Sequence, residues 1–248
     1  MSQTLDRALK ILDYVGEKPR RIGEIATFLD VHHSTALRLL HTLRNHGFVH
    51  EMPDHRYRLG AATFRLGFQA LDAIDIRSVA RPFMEKLHEQ TGETVHLGTL
   101  EDNEVVYVEK VEATRPLRLH SRIGAIATVH CTGVSKAILA FLPEAKRGTI
   151  LDGRDLARFT DNTHTTIAAL ESDLAECRER GFALDAEEHE PGIHCVGAPI
   201  LSGSGDVAGA ISVTAPLSRV DRGALLEFVP ALLAATQETS KQLGWRAQ

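Results

Sequence analysis

Residues 31–47, VHHSTALRLLHTLRNHG, restrict what this chain can fold into more than any other stretch. After the polar opening His33-Ser34-Thr35, the apolar Ala36, Leu39, Leu40 and Leu43 recur at spacings of three and four, with Arg38, His41 and Arg44 between them. That period predicts an amphipathic helix with one buried face, started by a Ser cap. Just upstream, Ile22, Ile25, Ala26 and Leu29 give a shorter helical pattern, and only residues 30–32 separate the two. Two helices joined so tightly, the second with a hydroxyl-bearing and basic outer face, predict a helix-turn-helix.

The surroundings fit that core. Residues 3–15 read as a first helix, with Leu5, Ala8, Leu9, Leu12 and Val15 on its apolar face. Gly47 suits the end of the third helix. Residues 48–51 and 56–60 then read as two short strands around Met52-Pro53-Asp54-His55, a hairpin whose second strand carries Arg56 and Arg58. Three helices and a hairpin within residues 1–60 make a winged helix-turn-helix. In that architecture the start of the second helix of the motif meets base edges while other elements hold phosphate. His33, Ser34, Thr35 and Arg38 lie where base contacts come from, with Arg38 able to meet either a guanine or a phosphate. Gln3, Thr4, Arg7, Arg56 and Arg58 are the expected backbone contacts, and Arg44 a further DNA contact. Ser34 and Thr35 compete for a purely capping role.

Charge divides along the same line. The first sixty residues hold nine Arg/Lys against seven Asp/Glu, a local charge of +2, within a chain of net charge −5. The remainder carries −7. A mild basic excess confined to one end fits a division of labour between duplex binding and another task.

Residues 61–75 form a linker helix with more apolar surface than one light contact needs, which suits a dimer seam or an interdomain clamp. Residues 76–93 give a further amphipathic helix. From Thr94 the period changes to two: 94–100, 105–111, 117–120, 182–185, 195–201 and 207–214 read as strands, and 132–142, 145–151, 167–180 and 225–243 as helices. Residues 76–248 are thus expected to form an α+β unit with a mostly antiparallel sheet. Three cysteines at unpaired spacings fit a reducing compartment. With no apolar run of spanning length and no secretory leader pattern, a cytoplasmic protein without membrane contact is expected.

Two segments of the second unit concentrate unusual residues: RIGAIATVHCTGVSK (122–136) and DAEEHEPGIHCVGAP (185–199). Each contains a His-Cys pair. Adjacent residues on an extended strand point apart, so neither pair makes a nucleophile–base dyad, and Ser135-Lys136 lacks the Ser-x-x-Lys spacing. No enzyme is expected. His130, Cys131, His194 and Cys195, with His189 and Asp185 or Glu188, supply enough ligand types for zinc if the segments converge, so a metal sensor is the alternative. The preferred reading is a pocket for a small organic anion. The helix start at Cys131-Thr132-Gly133-Val134 offers unpaired amides, and Gly133 allows close approach. Asp185, Cys195, Ser212 and Thr214 add polar groups, the last two on one strand face. Nothing in the pattern asks for a cofactor. Residues 187–190, EEHE, read as a solvated loop.

RALKILDYV, HHSTALRLLHTLRNHGFV, RYRLG with FRLG, TVHCTGVSKAILA, and GFALDAEEHEPGIHCVGAPI with AISVTAP resemble, over essentially the whole chain, the IclR family of bacterial transcriptional regulators. The resemblance implies a GAF- or profilin-like effector domain, a homodimer or homotetramer on double-stranded promoter DNA, and a small carboxylate or sugar-acid effector. It implies effector contacts from Gly133 and Val134, polar contacts from Asp185, Cys195, Ser212 and Thr214, and an apolar lining from Leu119 and Ile126. Three positions depart from the family pattern: Ser135 replaces Gly, Thr128 replaces Pro and His194 replaces Arg. Residues 108–124 are similar to the branch controlling 2-keto-3-deoxy sugar acid catabolism.

Overall fold

A computed structural model describes residues 2–73, 75–113 and 121–246. It divides into two compact units, Met1–Ile74 and Asp75–Gln248.

The first unit packs α1 (Gln3–Glu17), α2 (Ile22–Phe28) and α3 (His33–Asn45) over a small sheet. Ile11, Val15, Ile25, Ala36, Leu39, Leu40, Val49 and Tyr57 form its core. Gly47, in the left-handed region, ends α3: its amide and that of Phe48 return to the carbonyls of Arg44 and Leu43. The wing gains a strand that was not expected, because β1 (Arg20–Arg21) pairs with β3 (Arg56–Leu59), which also pairs with β2 (Val49–Glu51). A two-residue strand leaves no readable alternation in sequence.

Two expectations fail here. The apolar face of α1 turns Ile11 inward and leaves Leu5 and Leu9 outside, 60 % and 55 % exposed. The core-facing row runs 8–11–15, and Leu5 and Leu9 belong to a second row one step round the helix. The start of α3 is capped by His32 and not by a serine. The His32 ring nitrogen accepts from the Ser34 amide at 3.4 Å and lies 2.9 Å from the Ser34 hydroxyl. Histidine supplies the capping acceptor, so Ser34 and Thr35 fall inside the first turn. The unit ends in α4 (Ala61–Ala73).

In the second unit six strands form one antiparallel sheet, in the order β6-β5-β4-β9-β8-β7. The strands are β4 (Thr94–Glu101), β5 (Glu104–Val111), β6 (Ile126–Ala127), β7 (Ala183–Ala186), β8 (Ile193–Leu201) and β9 (Val207–Pro216). Helices α5 (Ile76–Thr91), α9 (Arg222–Glu227) and α10 (Val229–Gln242) cover one face. Helices α6 (Gly133–Phe141), α7 (Glu144–Leu151) and α8 (Ile167–Arg180) lie on the other. The alternation of strand side chains divides them cleanly: Val95, Leu97, Leu184, Val196, Ala198, Ile211 and Val213 all enter the first core.

The expected single helix over 225–243 is two helices meeting at Phe228. Pro230 explains the break, since it lacks the amide needed to continue a helix but is tolerated in a first turn. The expected strand at 117–120 lies outside the described residues, as does Leu119. Residues 187–190 are not wholly solvated, because Glu188 is buried.

Candidate functional site

The exposed face of α3 presents His33, Ser34 and Arg38, with Thr35 half-buried beside them. Gln3 is exposed and Arg7 half-buried on α1. On the wing, Arg56 and Arg58 alternate with Tyr57, which turns into the core, so both arginines share the outer face, where His50 lies opposite Arg58. Arg44 pairs with Glu51 at 2.6 Å, and Arg56 pairs with Asp54. Exposed pairs of this kind contribute little and are screened by salt, so a phosphate can displace either carboxylate.

The second unit contains a cavity of about 290 Å³ between the sheet and the start of α6. Register explains who lines it. Asp185 lies opposite Cys195, Cys195 opposite Thr214, and His96 opposite Ser212. With the pleat alternating, all of these turn to the α6 side, and their neighbours fill the other core. Ile126, Gly133, Val134, Asp185, Cys195, Ser212 and Thr214 all line the cavity, with Ile126 62 % exposed at its edge. Thus every described residue expected there is gathered in one place.

The helix start differs in detail from expectation. Gly133 donates its amide to the Cys195 sulfur at 3.3 Å, and that thiol donates to Asp185 Oδ2 at 3.2 Å. The close neighbour that requires a glycine is therefore Cys195, not an incoming ligand: a Cβ at Gly133 would lie 2.9 Å from Sγ. Geometry of a first helical turn leaves the Val134 and Ser135 amides without intrahelical acceptors. Thr132 occupies the N-cap position without a side-chain capping bond; its hydroxyl lies 3.0 Å from Thr128 O, to which it donates, and 2.8 Å from Ser135 Oγ.

His96, Tyr107 and Ser121 line the cavity without any signal in sequence, and Thr128, His189 and Glu190, noted there in other connections, line it too. The His96 ring lies 2.7 Å from Ser121 Oγ and 3.4 Å from Thr214 Oγ1, tilted against Tyr107. Burial, helped by Lys110, lowers its pKa to about 3, so the ring is neutral. Asp185 moves the opposite way. Burial and then the neighbouring Glu188 raise its carboxyl to about 7, against the backbone donor and Cys195. Burial likewise pushes up the Cys131 and Cys195 thiols, which are therefore poor nucleophiles and poor metal ligands.

The proposed zinc ligands are not brought together. His130 turns to Ala157 O at 3.0 Å, and Cys131 lies 3.5 Å from His189 Nδ1. His194 takes the opposite sheet face from Cys195, as strand neighbours must. Among the described residues, three ligand types do meet at His164, Asp173 and Glu188. The Lys136 ammonium already occupies that cluster, 2.7 Å from Asp173 Oδ2 and 2.6 Å from Glu188 Oε1. Its third donor goes to Leu184 O at 2.6 Å. Burial works against this charge, but Glu188 and Asp173 outweigh it and hold the lysine pKa above its ordinary value. The arrangement fastens the 187–190 loop to α6, α8 and β7. The zinc alternative has no support.

Among the described residues, no helix is long and apolar enough to cross a membrane.

Comparison with known proteins agrees with both units. Residues 4–53 match the IclR helix-turn-helix domain, and residues 68–241 match the bacterial transcriptional regulator IclR C-terminal domain. The chain is 38 % identical to the transcriptional regulator XynR of Escherichia coli K12, over 99 % of this chain and 98 % of that one. It is 34 % identical to the regulator KdgR of the same strain, over 95 % and 90 %. Among solved structures it is similar to Thermotoga maritima IclR (32 % identity, TM-score 0.67, covering 99 % and 100 %). It is also similar to the Agobacterium tumefaciens repressor BlcR (25 % identity, TM-score 0.80, covering 100 % and 99 %). Two domain matches in order and full-length relatives leave one conclusion, that the chain belongs to the IclR family of bacterial transcriptional regulators.

Proposed function

We propose that this regulator controls a catabolic operon, its winged unit binding promoter DNA and its second unit taking a small carboxylate or sugar acid, of which 2-keto-3-deoxygluconate is the leading candidate. The cavity carries this reading: hydroxyls from Ser121, Thr128, Thr132, Ser212 and Thr214 line it beside a helix start. A polyhydroxylated acid is suited to such a wall, and a helix start favours its carboxylate. The resemblance of residues 108–124 to the branch controlling 2-keto-3-deoxy sugar acid catabolism supports the sugar-acid choice.

The acting species is a homodimer or homotetramer. Within the first unit Leu5, Leu9, Phe64 and Leu66 are large apolar side chains between 47 % and 60 % exposed. A surplus of exposed apolar side chains on α1 and α4 suits a partner surface. For the effector to control DNA binding it must bind the DNA-competent and DNA-incompetent arrangements with different affinity.

The test is a footprint of the full-length protein on its own upstream region, repeated with candidate acids. Protection of a discrete segment, altered by 2-keto-3-deoxygluconate or a related acid, is expected. A protein that protects nothing at any salt concentration, with or without acids, overturns the proposal.

A further inference from the structure

The cavity presents an electrostatic problem for an acidic ligand. Among its described lining residues none is Lys or Arg, whereas Asp185 and Glu190 are both carboxylates. Its buried imidazole, His96, is held by Ser121 and Thr214 and carries no charge. A ligand carboxylate entering here meets neutral donors and a second negative group within the same enclosed space. In a low-dielectric site two such charges cannot both stay ionised cheaply.

This inference rests on the acid-binding reading above and deepens it. We propose that the cavity takes up its anionic ligand together with one proton, which resides on Asp185, so that the ligand meets a neutral carboxyl.

Burial and the neighbouring Glu188 carboxylate favour that proton on Asp185. From the following loop, Glu188 donates its amide to Asp185 Oδ1 at 2.7 Å while its carboxylate adds like charge, and His189 also lines the cavity. From β8, Cys195 gives its S–H to Oδ2. From β4, β5 and β9 come neutral groups: His96, Tyr107, Ser212 and Thr214. From α6 and the turn before it come the buried thiol of Cys131 and the Lys136 ammonium. The Glu188 amide, the Cys195 thiol and Lys136 favour the carboxylate, but burial and the Glu188 charge outweigh them, and Lys136 is already bonded to Glu188, Asp173 and Leu184. On α8, Asp173 adds negative charge behind it.

The empty protein holds Asp185 near half-protonation at about pH 7. A bound anion favours the protonated form further. Below pH 7 the proton is present before binding, and affinity is flat. Above pH 7 each unit of pH removes the protonated form tenfold, so affinity falls tenfold.

The experiment is calorimetric titration of full-length protein with 2-keto-3-deoxygluconate and with gluconate at pH 6, 7, 8 and 9, in phosphate and in Tris. For an acid that binds, the expected result at pH 8 is a buffer-dependent heat equal to nearly one proton taken up, with affinity falling about tenfold per unit above pH 7. Asp185→Asn should bind with affinity independent of pH. Binding with no buffer-dependent heat, or an Asp185→Asn protein that keeps the slope, overturns the proton-coupled inference and leaves acid binding standing. Failure of these and related acids to bind the wild-type protein overturns the functional reading and this inference with it. The buffer comparison on the wild-type protein decides the matter even if the variant does not fold.

Discussion

The Cys195 sulfur lies 3.3 Å from the Gly133 amide, and a Cβ on Gly133 would come within 2.9 Å of that same sulfur. Residue size at one position is therefore set by the other. Gly133→Ala is expected to destabilise the second unit by about 1–3 kcal/mol through overpacking. Cys195→Ala in the same chain should recover most of the loss. Urea unfolding of the four proteins of this cycle measures it; strictly additive losses would show that the two residues do not compete for space.

Lys136 provides a larger effect. Its side chain is 0 % exposed and bonded to two carboxylates. Lys136→Met leaves the buried Glu188 without its lysine and Asp173 with Arg180, 3.6 Å away, and should cost about 3–5 kcal/mol. Replacing all three by apolar or neutral residues should cost less than Lys136→Met alone. Denaturant midpoints separate these outcomes.

Two buried groups impose opposite pH dependences. Asp185 has a folded pKa of about 7 against 3.8 unfolded, so the folded state holds the extra proton and stability falls as pH rises from about 4 to 7. His96 has a folded pKa of about 3 against 6.5, so the unfolded state holds the extra proton and stability falls as pH drops below 6.5. Between about pH 4 and 6.5 the two slopes cancel. Asp185→Asn should unmask loss of stability toward acid, and His96→Gln loss toward neutrality. Thermal melts at pH 4.5, 5.5 and 6.5 check both.

Arg38→Ala is expected to abolish the footprint while leaving acid binding intact. Asp185→Ala, which removes the acceptor for the Glu188 amide and the Cys195 thiol, should spare the footprint and lose acid binding. Arg58→Ala should weaken DNA binding evenly across sequences and reduce the salt slope by about one. If Arg38→Ala and Asp185→Ala both disturbed acid binding alone, the assignment of Arg38 to DNA contact would fail.

Leu9→Glu with Phe64→Glu should lower the oligomeric state without unfolding the winged unit, because both side chains lie outside its core. Light scattering and circular dichroism report the two properties. An unchanged mass would remove this surface from the association.

Periodic signals were legible in the chain where packing repeats. The α3 row of Ala36, Leu39 and Leu40 and the alternation through β8 and β9 follow directly from residue spacing. Short elements were not legible: β1 and β6 have two residues each, too few for any period. On α1 two apolar rows existed, and nothing local said which one faced inward. In the second unit, the residues gathered in the cavity share a strand parity or the start of α6. His96 and Tyr107 escaped notice because each looks like an ordinary strand residue until cross-strand register places it beside Ser212 or on the cavity wall. Nothing in sequence links Lys136 to Glu188, which fell in a stretch read as a solvated loop, since their pairing spans 52 positions.

A Cβ at Gly197 would lie 2.3 Å from the carbonyl oxygen of Gly133, so main chain rests on main chain where α6 crosses β8. Neither partner has a side chain to shorten or rotate. The base of this cavity is thus fixed in place, and a descendant of this protein accommodating a different ligand there would have to alter other lining residues, such as Ile126, His189 or Glu190, long before it altered the floor.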